Sequence, residues 1–159
     1  MSTSQTSSTT AATAAPTGIP TGKIVIKRTI PATVDEVFDA WLDADALSQW
    51  MLPGDHRRNT VSVDPRVGGA YEIIMHHQDG DKRHYGEYRG IERNKKLVFT
   101  WFSNATHHTE TLVTVEFIAA KDNTQIVLTH ERLPDHESGL GHTRGWTRGL
   151  ELLEAHFKR

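Results

Sequence analysis

The side chains of this 159-residue chain that could do chemistry are ten histidines, three tyrosines and 20 carboxylates, and cysteine is absent. Without thiols, disulfides, thiolate metal ligands and a cysteine nucleophile are excluded. The pairs His76-His77 and His107-His108 invite a metal reading. Adjacent residues in a strand point to opposite faces, so neither pair forms a ligand set by itself. A site would need His77 and His130 brought together with a carboxylate, and no metal or other cofactor is expected. Asp64 and Arg66 precede Gly68-Gly69, where an ion pair or a turn hydrogen bond is the expected role. No Gly-x-Ser-x-Gly elbow, phosphate-binding glycine loop or dinucleotide fingerprint occurs. What remains is a set of polar atoms that fall among apolar positions: Tyr71, His77, Tyr88, Thr111 and His130.

The elements that must position them follow from periodicity. Residues 1–22 hold 11 Ser or Thr and no charged side chain, and read as a disordered tail that cannot bury enough apolar area to offset backbone entropy. The domain is expected over 23–159. Lys23 to Ile30 alternates as a strand, with Arg28 the one mismatch on its apolar side. Thr33-Val34-Asp35-Glu36 is a capping box that starts a helix bearing Val37, Phe38 and Trp41 on one face. A second short helix, capped by Asp43 or Asp45 and ended by Pro53-Gly54, would bury Leu47 and Trp50. From residue 58 the period changes to two, in strands near 58–63, 69–77, 84–92, 96–102, 109–119 and 123–132. Turns at Gly68-Gly69, Asp79-Gly80, Asn94-Lys95 and Asp122-Asn123 punctuate them, which makes an antiparallel meander. Leu140 to Phe157 returns to helical spacing through Trp146, Leu150 and Leu153, long enough to cross a sheet.

Alternation also assigns faces. Tyr71, Ile73, Met75 and His77 share one, as do Leu97, Phe99 and Trp101; Thr111, Val113, Val115 and Phe117; and Ile126, Leu128 and His130. Tyr88 joins them if Gly86 does. The opposite faces are more polar, so these residues face the last helix. On that helix Gly141, Gly145 and Gly149 stand one above another at i, i+4 and i+8. Each costs about 1 kcal/mol relative to Ala in a helix interior. Either the helix approaches the sheet closely there, or the missing side chains leave room for a ligand.

Composition narrows the partners. A net charge of -2, with 36% hydrophobic and 24% charged residues, fits an ordinary globular protein with no nucleic-acid partner. No apolar run approaches a membrane span, no signal or transit peptide is evident, and a cytoplasmic location is compatible with the absence of cysteine.

The order strand, two short helices, six strands, long helix resembles the SRPBCC or START-like helix-grip superfamily. Within it the chain resembles the homologues of the heat-shock-protein-90 ATPase activator. The residues that carry the resemblance are Ile30-Pro31-Ala32, Val37-Phe38, Ala40-Trp41, Trp50, Asp64 to Gly69, Gly86-Glu87-Tyr88, Leu97 to Trp101, Val113 to Phe117, Leu128-Thr129-His130 and Gly145-Trp146 with Leu150 and Leu153. The resemblance implies an α+β fold: a curved antiparallel sheet of about seven strands gripping the C-terminal helix, with an apolar cavity between them. A small apolar or amphipathic ligand, lipid-like or polyketide-like, would then meet Trp50, Tyr71, Ile73, Met75 and Tyr88, together with Phe99, Trp101, Val113, His130 and Trp146. Some relatives cyclise or dehydrate polyketides, and for such a reaction His130 with Tyr88 is the acid/base couple to nominate. A chaperone partner is the third reading. The family's true activators carry a separate domain with an Asn-rich motif where this chain shows the Ser/Thr tail, so ligand binding ranks first. A monomer or weak dimer is expected.

Overall fold

The computed structural model describes residues 22–51 and 58–158. The expected tail and the expected Pro53-Gly54 helix stop lie outside the described residues. Strand β1 (Lys23–Ile30) is followed by helices α1 (Val34–Ala40) and α2 (Ala44–Trp50). Then come β2 (Arg58–Val63), β3 (Ala70–His77), β4 (Gly80–Glu92), β5 (Lys96–Trp101), a single 3-10 turn at Asn104–Thr106, β6 (Thr111–Ala120), β7 (Asn123–Glu131) and the long helix α3 (His136–Phe157). The strands form one seven-stranded antiparallel sheet in the order β1-β7-β6-β5-β4-β3-β2. This is the expected α+β helix-grip architecture. No helix among the described residues is long and apolar enough to cross a membrane.

Local chemistry sets the boundaries. Thr33 and Glu36 close the capping box on α1, and Asp43 rather than Asp45 caps α2 by accepting from the Ala46 amide. Two starts and one turn differ from expectation. β4 starts at Gly80 instead of residue 84, because Gly80-Asp81-Lys82-Arg83 pairs with β3 through backbone bonds and polar side-chain contacts, Asp81 with His76 and Arg83 with Glu72, and shows no apolar alternation. α3 starts four residues early, at His136, where Asp135 accepts from the Ser138 amide and substitutes for an apolar signal. The turn at Asn104–Thr106 was not expected; a Ser103/Thr106 capping pair builds it.

Arg28, the mismatch in β1, faces α3 and donates to Glu154 at 2.6 Å, so the apparent error in alternation is an ion pair across the sheet-helix seam. Asp64 and Arg66 form the expected local ion pair, Nε to carboxylate 2.9 Å. Tyr71, Ile73, Met75, Tyr88, Phe99, Trp101, Val113, Val115, Phe117, Ile126, Leu128 and His130 are all buried on the concave side. His77, at the end of β3, is half-buried and lies outside that core.

Between Tyr85 and Tyr88 the backbone ladder joining β4 to β5 is interrupted. The backbone pairs resume on either side, at Tyr85 with Phe102 and at Tyr88 with Phe99. In the gap the Thr100 hydroxyl accepts from the Glu87 amide at 2.9 Å. Gly86 permits this approach, since a Cβ there would lie 2.1 Å from the Thr100 carbonyl oxygen. That oxygen also accepts from the Tyr71 hydroxyl at 2.5 Å. The contact is with backbone and cannot yield cheaply. Gly86→Ala is therefore expected to lower stability by about 3 kcal/mol in urea unfolding. Gly90→Ala on the same strand, whose new Cβ would first meet a Val98 methyl at 3.5 Å, should cost under about 1 kcal/mol.

Candidate functional site

α3 lies across the concave face with His142, Trp146, Gly149, Leu150 and Leu153 buried. The spacing i, i+4, i+7, i+8, i+11 is one helical stripe. At its middle a hydrogen-bonded relay joins helix to sheet. The Trp146 indole N–H donates to His130 Nδ1 at 3.0 Å. An indole nitrogen only donates, so Nδ1 is the acceptor and the ring's hydrogen sits on Nε2. Nε2 then donates to the Thr111 hydroxyl at 2.8 Å, and Thr111 donates to the Trp101 carbonyl at 2.5 Å. His130 is fully buried with both ring nitrogens committed. Burial first, and the neighbouring His142 second, push its pKa well below the ordinary 6.5. Next to it, His142 donates from Nδ1 to the Ser138 carbonyl at 2.7 Å, which leaves Nε2 as the lone-pair nitrogen, and burial lowers its pKa as well.

Toward the N-terminal end of α3 the helix stands off the sheet. A Cβ added at Gly141 or Gly145 would meet nothing within 4 Å, whereas at Gly149 it would touch Trp50 at 3.9 Å. The space is a cavity of about 180 Å³ lined by Met51, Met75, His84, Trp101, Ala105, Gly141, His142, Gly145 and Trp146. Behind Trp101 and Met51 lies a second void of about 20 Å³, lined also by Trp41, Leu47, Tyr71, Ile73, Tyr88 and Phe99. The turn at Asn104–Thr106 closes over the larger cavity, tied to α3 by the Ser138 hydroxyl donating to the Ala105 carbonyl at 2.7 Å.

The structure sorts the sequence candidates into three groups. Met75, Trp101 and Trp146 line the larger cavity. Tyr71, Ile73, Tyr88 and Phe99 line the smaller one with Trp101. Trp50, Val113 and His130 line neither: Trp50 packs on Trp41 and donates to the Ala40 carbonyl, Val113 sits opposite His130 in the β6-β7 register, and His130 belongs to the relay. Of the nominated couple, His130 has both ring nitrogens engaged in hydrogen bonds, and burial raises the Tyr88 phenol far above its ordinary range.

Sequence reasoning missed Trp41, Leu47, Met51, His84, Ala105 and His142. For two of them a signal was present. His84 shares the strand parity of Gly86 and Tyr88, and His142 lies one helical turn before Trp146.

Three further histidines have local partners. His76 is held between Asp81 and Thr60, His107 pairs with Asp135 at 2.8 Å, and His108 lies within 3.3 Å of the Tyr85 hydroxyl.

A family model described as activator of Hsp90 ATPase homolog 1-like protein matches residues 31–158. No curated protein matches the chain. Among solved structures, a Chromobacterium violaceum protein superposes with a TM-score of 0.74 at 22% identity, over 86% of this chain and 98% of that one. An HSP90 activator from Plasmodium falciparum gives 0.70 at 24% identity, over 85% and 95%. A Rhizobium loti protein gives 0.69 at 26% identity, over 85% and 96%. These likenesses concern the fold.

The buried histidines make stability pH-dependent with a definite sign. Both rings have folded pKa values below the unfolded value of 6.5, so below that pH the unfolded chain binds more protons than the folded one. Stability is then complete above pH 6.5 and falls as acid is added. Urea unfolding at pH 5.5 should give a value about 1–2 kcal/mol lower than at pH 7.5. A flat profile across this interval would show the two rings to be solvated or already charged.

Proposed function

The chain belongs to the activator of Hsp90 ATPase homolog 1-like family, and on that premise we propose that it binds a small apolar or amphipathic molecule between the sheet and α3. The observation that carries this reading is the open space over Gly141 and Gly145. Two helix-weakening residues stand side by side where their Cβ atoms would meet nothing, and the space they leave is continuous with Met75, Trp101 and Trp146. At Gly149 a Cβ would make only an ordinary contact with Trp50, so close packing requires none of the three glycines. An apolar cavity of roughly 150 Å³ accommodates a benzene-sized molecule. The 180 Å³ found here therefore suits a single ring or a short branched chain better than an extended lipid chain.

Binding ranks ahead of turnover because the surroundings of the nominated acid/base couple work against proton transfer: both His130 ring nitrogens are hydrogen-bonded and burial makes the Tyr88 phenol a weaker acid. Chaperone activation, which is what the Plasmodium falciparum structure is named for, would use an outer surface and leave this cavity without a role.

Gly145→Leu separates a ligand cavity from tight packing. If the cavity is a binding site, the new side chain enters it, gains about 1 kcal/mol of helix propensity and excludes the ligand. Urea unfolding should show stability unchanged or slightly raised, while the affinity for toluene, followed through the resonances of Met51 and Met75 methyl groups, falls at least about tenfold, or 1.4 kcal/mol. Toluene binding preserved in a variant destabilised by about 1–3 kcal/mol, the range for overpacking, would contradict the proposal and place the pocket elsewhere.

A further inference from the structure

The chain has four tryptophans, and their indole N–H groups divide into two pairs. Trp50 donates to the Ala40 carbonyl at 2.9 Å and Trp146 to His130 at 3.0 Å. Trp41 and Trp101 are just as deeply buried, at 3% and 4% exposure. Their Nε1 atoms have no acceptor among the described residues. A buried donor without an acceptor is costly and uncommon in native proteins. Two of them occur here, and both belong to side chains that line the 20 Å³ void. A space of that size admits about one oxygen-sized group.

Trp101 and Met51 are common to the walls of this void and of the 180 Å³ cavity. Met51 is unbranched and flexible, the kind of side chain that can yield to a neighbouring group. The void lined by these two indoles thus adjoins the apolar space that the glycines leave open. No Lys, Arg, Asp or Glu is among the described lining residues of either space. A carboxylate entering here would shed its water with no Lys or Arg among the described lining residues to replace it. An uncharged oxygen acceptor meets no such penalty.

We propose that the cavity takes an uncharged carbonyl compound about one ring in size, with its apolar body against Gly141, Gly145 and Trp146 and its oxygen accepting from the Trp41 and Trp101 indoles. The proposal rests on the cavity-binding reading above and adds the chemical class of the ligand to it.

The test compares cyclohexanone with methylenecyclohexane, which has the same shape but a CH2 in place of the oxygen, and with cyclohexanecarboxylate. In the 15N–1H spectrum of the wild type, cyclohexanone should move two indole N–H resonances downfield, and methylenecyclohexane should move neither comparably. Trp41→Phe and Trp101→Phe should each remove one of the two. In either variant the ratio of ketone to alkene affinity should fall about tenfold, as expected for loss of a buried hydrogen bond. If the alkene binds and the ketone shifts no indole resonance, or if the affinity ratio is the same in wild type and both variants, the acceptor site is refuted while the cavity reading stands. Carboxylate binding as tight as the ketone's would refute the requirement for an uncharged ligand. If neither neutral probe binds the wild type, both readings fall together. The indole shifts are read on the wild type, so a variant that fails to fold does not remove the test.

Discussion

The relay from Trp146 through His130 and Thr111 to the Trp101 carbonyl is the constraint on which the site depends. Its members come from α3, β7, β6 and β5, so four elements are held at one set of distances in a layer with no exposed atoms on His130 or Thr111. Each polar atom in it must keep its partner, since an orphaned group in this layer would cost about 1–3 kcal/mol. The relay therefore sets the height of α3 above the sheet. Below it Leu150 and Leu153 close the interface with full burial. Above it Gly141 and Gly145 offer no side chain to close it, and the cavity is what remains. A cavity held open in this way is a property of the packing rather than of a mobile segment.

Aromatic contacts stiffen the same region. Trp146 lies 5.0 Å from Trp101 and 6.1 Å from Trp41 between ring centroids, and Trp41 meets Trp50 edge-on at 4.8 Å. These rings are large and have few rotamers, so the wall of the cavity can move mainly at Met51 and Met75. On the opposite side the break in the β4-β5 ladder at Gly86 leaves the Thr100 carbonyl to accept from the Tyr71 hydroxyl. Interruption of the ladder and satisfaction of a buried phenol are thereby one event. Arg28 completes the seam at the far end of α3 through Glu154.

Much of this was legible in the sequence, for identifiable reasons. Alternation assigns each strand residue to a face, and every concave-face residue expected from β3 to β7 is buried except His77, which lies at a strand end. Capping chemistry placed the starts of α1 and α2. Where a strand pairs through backbone and polar side chains without apolar alternation, as at Gly80 to Arg83, or where a cap precedes the first apolar residue, as at Asp135, periodicity had nothing to register. The site was harder to read. Periodicity gives the face but not the depth, so Val113 and Tyr88 look equivalent in sequence although only Tyr88 borders a void. Nor does it show which polar atoms find partners: His130 was expected to be available, yet Trp146 and Thr111 occupy both its nitrogens. The glycine stripe left packing and cavity open as alternatives, and the structure divides it, with Gly149 packed on Trp50 and Gly141 and Gly145 facing space.

The central claim is that α3 is held off the sheet over a persistent apolar space. The most direct measurement is a crystal structure under xenon pressure, because xenon enters cavities of this size and polarity without demanding a hydrogen bond. The account predicts xenon density bounded by Met75, Trp101, Gly141, Gly145 and Trp146, with the Trp146 to His130 hydrogen bond intact. A structure with no xenon at that position, and with α3 settled onto Met75 and Trp101, would contradict it.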